Sequence, residues 1–292
     1  MNGGKMIERE AYLKKLIGFK DKKVIKVITG VRRCGKSTLF HLFKQYLLDT
    51  GVSSDCIQLL NLEDINYEEL QDYRKLHKYI EDRLIPNKMN YIFLDEIQNI
   101  QKFEKAVDSL YIKDNVDIYV TGSNAYLLSG ELATLLSGRY VEIKMFPLSF
   151  KEFLSFEKKQ QLSLNKEYTQ YLLQSSFPYA LQLKDQPEQL QDYLQGILDS
   201  IILKDVVARK NISDIAGLKK IIRFLFDNIG NVCSIKKISD TMTSAGFKIV
   251  PKTVEKYIAS LVESFVLYPV SRYDIKGKQY LQSGEKYYRS EE

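Results

Sequence analysis

Residues 30–37, Gly30-Val31-Arg32-Arg33-Cys34-Gly35-Lys36-Ser37, place two glycines, a lysine and a hydroxyl in the order GxxxxGK[ST]. That order suits the capture of a phosphate chain. Glycine lets the backbone curl until successive N–H groups converge on one anion. Lys36 brings a point charge for the β- and γ-phosphates, and the Ser37 hydroxyl is an oxygen ligand for Mg2+. A β-rich apolar run over 24–29 precedes the loop. Apolar residues at helical spacing (Leu39, Phe43, Tyr46, Leu47) follow it, so the loop opens a helix whose positive dipole end faces the same anion. The expected nucleotide contacts are Gly30, Val31, Arg32, Arg33, Cys34, Gly35, Lys36, Ser37 and Thr38. Cys34 reads as a small neutral spacer rather than a redox sensor.

A second apolar run, 91–94, ends directly in Asp95 and Glu96. Asp95 would hold Mg2+ through a water molecule, while Glu96 would orient and deprotonate an attacking water. The next run ends in Thr121-Gly122-Ser123-Asn124. Ser123 and Asn124 could each help to place that water, with Asn124 favoured for its reach. Arg139 begins a fifth strand-like run. Its guanidinium could serve an adjacent subunit's γ-phosphate as an arginine finger, or pair with a surface carboxylate. The expected catalytic set is therefore Lys36, Glu96, Asn124 and Arg139, with Ser37 and Asp95 as metal ligands. Guanine-reading proteins use Asn-Lys-x-Asp. Residues 87–90 and 165–168 begin that way but lack the Asp, so ATP is preferred to GTP.

The elements that must position these groups alternate. Strand patterns at 24–29, 57–60, 91–94, 118–121 and 140–144 are separated by helical patterns at 37–48, 67–84, 103–110 and 127–136. This is an α/β pattern, a mostly parallel sheet flanked by helices. Beyond Pro147 helices dominate, at 150–158, 168–174 and 187–207. Helices at 218–228, 234–244 and 252–264 and strands at 265–270 and 278–288 then form a winged helix-turn-helix pattern. The division expected is a P-loop ATPase core at 1–148, a helical lid at 149–212 and a winged helix at 213–292.

The 292 residues exceed what one compact core usually holds. No stretch approaches the roughly 18 apolar residues of a membrane span. The N-terminus lacks the apolar core of a secretory signal. Three widely spaced cysteines without a CxxC fit neither a disulfide framework nor a zinc site, and point to a reducing cytoplasm. The whole net charge of +6 sits in residues 204–292, with 16 Lys+Arg against 10 Asp+Glu. There Lys236, Lys237, Lys248, Lys252, Lys256, Lys276 and Lys278 flank the turn, third helix and wing. DNA phosphates are one partner for them, and a protein or a second copy of the chain is the other; both stay open.

Taken together, GVRRCGKST, YIFLDEIQNI, the stretch VTGSNAYLLSGELATLLSGRYVEIKMFPLSFKEFL and ILDSIILKDVVARKNI resemble the prokaryotic AAA-like ATPases with an AAA-14 domain. The resemblance runs from about residue 6 to the end. It implies an ASCE-type sheet with the acidic strand beside the P-loop strand, a helical lid and a winged helix. Lys36, Ser37, Asp95 and Glu96 fall on the family's catalytic positions, and Arg139 on the arginine of its SGR segment. Where such proteins often carry Gly-Gly before an aromatic and a proline, this chain has Ser175-Ser176-Phe177-Pro178. The family's nuclease-like C-terminal domain would begin where the chain stops, so nuclease activity is not carried over.

The expectation is Mg2+-dependent ATP binding and hydrolysis, coupled to a lid and a winged helix that contact DNA or protein. The alternative is a DNA-associated regulator that holds ATP with negligible turnover. Glu96 favours the first, because a pure holder needs no base. A small-molecule kinase would not explain the winged helix or the SGR-to-PLSF segment.

Overall fold

The computed structural model describes residues 7–125, 136–156, 163–271 and 285–289. Strands β1 (Ile25–Thr29), β2 (Ile57–Asn61), β3 (Asn90–Asp95), β4 (Val116–Gly122) and β5 (Tyr140–Lys144) form one parallel sheet in the order β2-β3-β4-β1-β5. β1, β3 and β4 are buried along their whole lengths. Helices cover both faces, which is why these strands read as unbroken rather than alternating apolar runs. On one face Val27, Ile92, Leu94 and Val120 pack with Leu76 and Ile80 of α3 (Tyr73–Glu81) and Val107 and Leu110 of α4 (Phe103–Tyr111). On the other, Phe93 stacks on Tyr119 at 4.8 Å, and both meet Phe43 of α2 (Lys36–Asp49). An N-terminal helix, α1 (Glu10–Phe19), precedes β1.

Two expectations need correction. The acidic strand does not lie beside the P-loop strand: β4 pairs with both β1 and β3 and separates them. Its terminal residues therefore stand between the loop and the carboxylates. Nor is 67–84 one helix. Residues Ile65–Gln71 form a tighter 3-10 stretch, and Asp72 then caps α3 by accepting from the N–H groups of Arg74 and Lys75. A carboxylate that satisfies those donors starts a new helix instead of continuing the old one. The helix expected at 127–136 falls almost wholly outside the described residues.

Residues 1–182 and 183–292 form two compact units, and the division falls inside the segment expected as a lid. In the first unit, α5 (Phe150–Phe156) and α6 (Leu164–Gln174) follow β5. They pack through Leu148, Phe153, Tyr171 and Leu181.

The second unit opens with α7 (Pro187–Ser200), which continues as a wide π turn over Ile201–Val207 instead of a regular helix. Ile201, Ile202, Asp205 and Val206 of this turn are buried. Helices α8 (Ile215–Asp227), α9 (Ile235–Ser244) and α10 (Pro251–Glu263) follow. Asp214 and Ser234 cap the first two by accepting from Gly217 N–H and Lys237 N–H. Strands β6 (Val232–Cys233), β7 (Tyr268–Val270) and β8 (Glu285–Tyr288) make an antiparallel sheet in the order β6-β8-β7. The sequence pattern contains β7 and β8 but not β6, whose two residues are too few for any periodicity. Residues 272–284, with Lys276 and Lys278, lie outside the described residues.

Candidate nucleotide site

The loop between β1 and α2 is shaped by close packing and two left-handed residues. A Cβ at Gly30 would sit 2.1 Å from the carbonyl oxygen of Met145, just beyond β5, so only glycine fits there. Arg33 (φ 68°) and Gly35 (φ 103°) then turn the chain twice before α2 begins at Lys36. Cys34 between them is fully buried, and burial pushes its thiol pKa up, as befits a spacer. Ser37 is exposed at the helix start and Thr38 half-buried behind it.

Lys36 is only 4% exposed. Its ammonium donates to the carbonyl oxygens of Gly30 (3.0 Å) and Val31 (3.3 Å), and lies 3.6 Å from Glu96 Oε1. Arg32 pairs with Glu63 at 2.9 Å, and Arg33 is exposed.

Asp95 and Glu96 end β3. A strand sends consecutive side chains to opposite faces, but Glu96 adopts φ 54° and leaves the strand path at once. Both carboxylates thereby stay near the loop. The Ser37 hydroxyl hydrogen-bonds Asp95. Thr121, at the end of β4, donates to Asp95 Oδ1 at 2.5 Å and accepts from the Glu96 N–H at 2.9 Å. Burial pushes the Asp95 carboxyl pKa up, against the hydrogen bonds from Ser37 and Thr121. Burial would do the same to Glu96, but the Lys36 charge, with help from Gln98, Arg32 and Ser123, holds it below its ordinary value.

The expected residues are not all in one place. Residues 30–38, Asp95, Glu96, Ser123 and Asn124 gather at the C-terminal ends of β1, β3 and β4, where open parallel sheets bind ligands. Ser123 reaches Glu96 and lies 3.5 Å from Gln98, and Asn124 is buried beside it. Arg139 is elsewhere. It precedes Tyr140, the partner of Ile25 at the start of β1, so it stands at the opposite end of the sheet from Gly30. There its guanidinium pairs with Asp108 and lies 5.6 Å from the ring centroid of Tyr111.

Three residues of the site carry no assignment from sequence: Thr121, Gln98 and Arg9. Thr121 bridges the two acids. Gln98 donates a short hydrogen bond to Glu96 Oε2. Thr121 and Gln98 stand within or beside motifs already singled out, and position was the available signal. Arg9 has no such signal.

Among the described residues no group of three or more His, Cys, Asp or Glu side chains is arranged to hold a metal ion. Ser37 and Asp95 offer two hard oxygen donors in mutual contact. This fits Mg2+, which takes few protein ligands and completes its shell with phosphate and water.

Sheet order and loop together define a P-loop NTPase of the AAA-like class. An AAA domain family description matches residues 22–154, and a domain of unknown function matches 165–290. An uncharacterized protein of Haemophilus influenzae is 43% identical over 286 residues, covering 97% of this chain and 71% of that protein. The uncharacterized protein MJ1544 of Methanocaldococcus jannaschii is 32% identical over 269 residues, covering 87% of this chain and 58% of its own length. The chain belongs to the same family as the Haemophilus protein, and its residues 22–154 carry an AAA domain. In fold it is similar to the Walker-type ATPase PABY2304 of Pyrococcus abyssi, with a TM-score of 0.63 at 15% identity over 98% of this chain and 94% of that one. Among the described residues no helix is long and apolar enough to cross a membrane.

Proposed function

We propose that the protein binds ATP with Mg2+ at residues 30–38 and hydrolyses it. The observation that carries this reading is the convergence of Lys36, Ser37, Asp95 and Glu96, with Lys36 Nζ 3.6 Å from Glu96 and Ser37 bonded to Asp95. Lys36 would exchange its loop carbonyls for the β- and γ-phosphates. Ser37 and Asp95 would hold Mg2+, which supplies charge neutralisation across those phosphates. Glu96, ionised beside Lys36, would take a proton from the water whose oxygen attacks the γ-phosphorus as ADP departs. Ser123, Asn124 and Gln98 would orient that water and its base. Arg139, at the far end of the sheet, would act only on a neighbouring subunit's nucleotide.

Residues 1–148 serve as the ATPase core in this reading, 149–212 as a lid, and 213–292 as a winged helix built on α8, α9, α10 and the small sheet. The exposed Lys236, Lys237, Lys248, Lys252 and Lys256 would offer this unit's charge to DNA phosphates or to an acidic protein partner. The three buried free cysteines suit a reducing cytoplasm. The position of Arg139, far from its own loop, supports a second reading, a DNA-associated regulator that holds ATP with negligible turnover.

Phosphate release from MgATP by wild type and Glu96→Gln, with and without duplex DNA, separates these readings. Hydrolysis with Glu96 as base predicts a loss of about 100-fold or more in the variant, with ATP binding retained. Tight ATP binding with no turnover in either protein, at any concentration or with DNA, establishes the holder instead.

A further inference from the structure

Arg9 precedes α1 and adopts a left-handed conformation (φ 47°, ψ 43°) that a non-glycine residue takes only when its surroundings hold it there. It is 3% exposed. A buried guanidinium is tolerated only when its donors and charge are answered, and here each nitrogen faces a different element. Nη1 donates to the Cys34 carbonyl in the phosphate loop at 3.3 Å, and Nη2 donates to the Phe146 carbonyl beyond β5. Nε forms an ion pair with Glu152 Oε1 on α5 at 3.1 Å, without hydrogen-bond geometry. The other Glu152 oxygen accepts from both the N–H and the hydroxyl of Ser149, which fixes the carboxylate at the root of that helix. Tyr12 closes the group, with its ring 4.8 Å from the guanidinium and its hydroxyl accepting from the Phe146 N–H.

The Cys34 carbonyl belongs to the peptide whose N–H is that of Gly35, and Cys34 sits between two left-handed residues, Arg33 and Gly35. Such a peptide plane rotates easily unless held. A cation on its carbonyl fixes the plane and polarises its N–H toward an anion. Only a planar fork can donate to two carbonyls and also meet a carboxylate's charge from a third side, since lysine is a single point charge.

We propose that Arg9 is a positioning residue for the nucleotide site: from behind the phosphate loop it holds the Cys34–Gly35 peptide in the form that receives phosphate, and Glu152 sets its grip. This rests on the reading of residues 30–38 as a phosphate site. Through Glu152 the position of α5 is felt at the phosphates, a link that joins the loop to the helices following the sheet within the same unit.

The test measures affinity of the full chain for MgATP and for inorganic tripolyphosphate, beside thermal unfolding without ligand. Arg9→Met should weaken both ligands by the same factor, about tenfold or more, because the effect is on the phosphate cradle. Glu152→Gln should weaken them less, and the double variant should bind no worse than Arg9→Met. The proposal is overturned if Arg9→Met changes only the unfolding temperature and binds both ligands within about twofold of wild type. Losses in the two single variants that simply add would overturn it as well. If Arg9→Met does not fold, Arg9→Lys carries the test. It keeps the charge but not the fork, and wild-type affinity in that variant would refute the role. Failure of the underlying reading looks different: wild type would not bind MgATP, or Lys36→Ala would bind it equally well.

Discussion

Asp95 and Glu96 are neighbours of nearly equal burial, yet their protonation leans in opposite directions, up for the first and down for the second. The difference is Lys36, whose charge reaches Glu96 most directly while Asp95 receives only neutral hydroxyls in hydrogen bonds. Burial thus disfavours the ionised form of Asp95, and a cation bound beside it would offset that cost. Asp95→Asn should raise the ligand-free unfolding temperature by a few degrees, about 1 kcal/mol, while Mg2+-dependent ATP binding is lost. Calorimetric melts with and without MgATP read both effects. A second residue under tension is Ser175, at φ 73° and ψ 151°, a region nearly reserved for glycine. Pro178, three residues on, stands 3.7 Å from where a Cβ on Gly35 would lie, so the strained segment borders the phosphate loop. Ser175→Gly should stabilise the fold by roughly 1 kcal/mol in urea denaturation. No change, or a loss, would mean the serine hydroxyl compensates for the strain.

At the scale of elements, the central strands owe their order to what they bury. Lys26, the second residue of β1, has no exposure and pairs with Asp117 of β4, which also accepts from the Asp21 N–H and the Tyr119 hydroxyl. Burial pushes the Lys26 pKa down and the Asp117 pKa up, so desolvation takes back much of what the pair's attraction contributes. Lys26→Met would strand a buried carboxylate and should cost about 3–5 kcal/mol. Lys113→Ala, which breaks the more exposed pair with Glu81, should cost under about 1 kcal/mol. Equal losses in equilibrium unfolding would contradict this account. The same insertion of β4 between β1 and β3 brings Thr121 to the two acids, so strand order and site geometry have one cause.

At the scale of the whole molecule, the site as folded lacks its most distant expected member. Arg139 stands at the other end of the sheet, paired with Asp108, and can reach a γ-phosphate only in a second copy. Turnover per chain should then rise with protein concentration. Mixing Glu96→Gln with Arg139→Ala, each inactive alone, should restore part of the activity, because one interface combines an intact base with an intact finger. Phosphate release from the mixture that stays at the sum of the two variants would confine Arg139 to its surface ion pair.

The sequence alone determined the chemistry of the loop and the alternation of the first unit. Glycine permissiveness, the lysine charge and the period of apolar residues are local properties, readable within a dozen residues. So the phosphate loop, the acids at 95 and 96 and five strands were legible. Only the tertiary structure decided which strand lies between which, because strand order depends on what is buried across the sheet. It also decided the roles of residues that act at long range. Thr121 meets Asp95 across 26 residues and Arg9 meets Cys34 across 25, and neither contact leaves a periodic trace. The left-handed turn at Glu96, which keeps two adjacent carboxylates near one loop, is likewise a backbone event that no side-chain pattern announces.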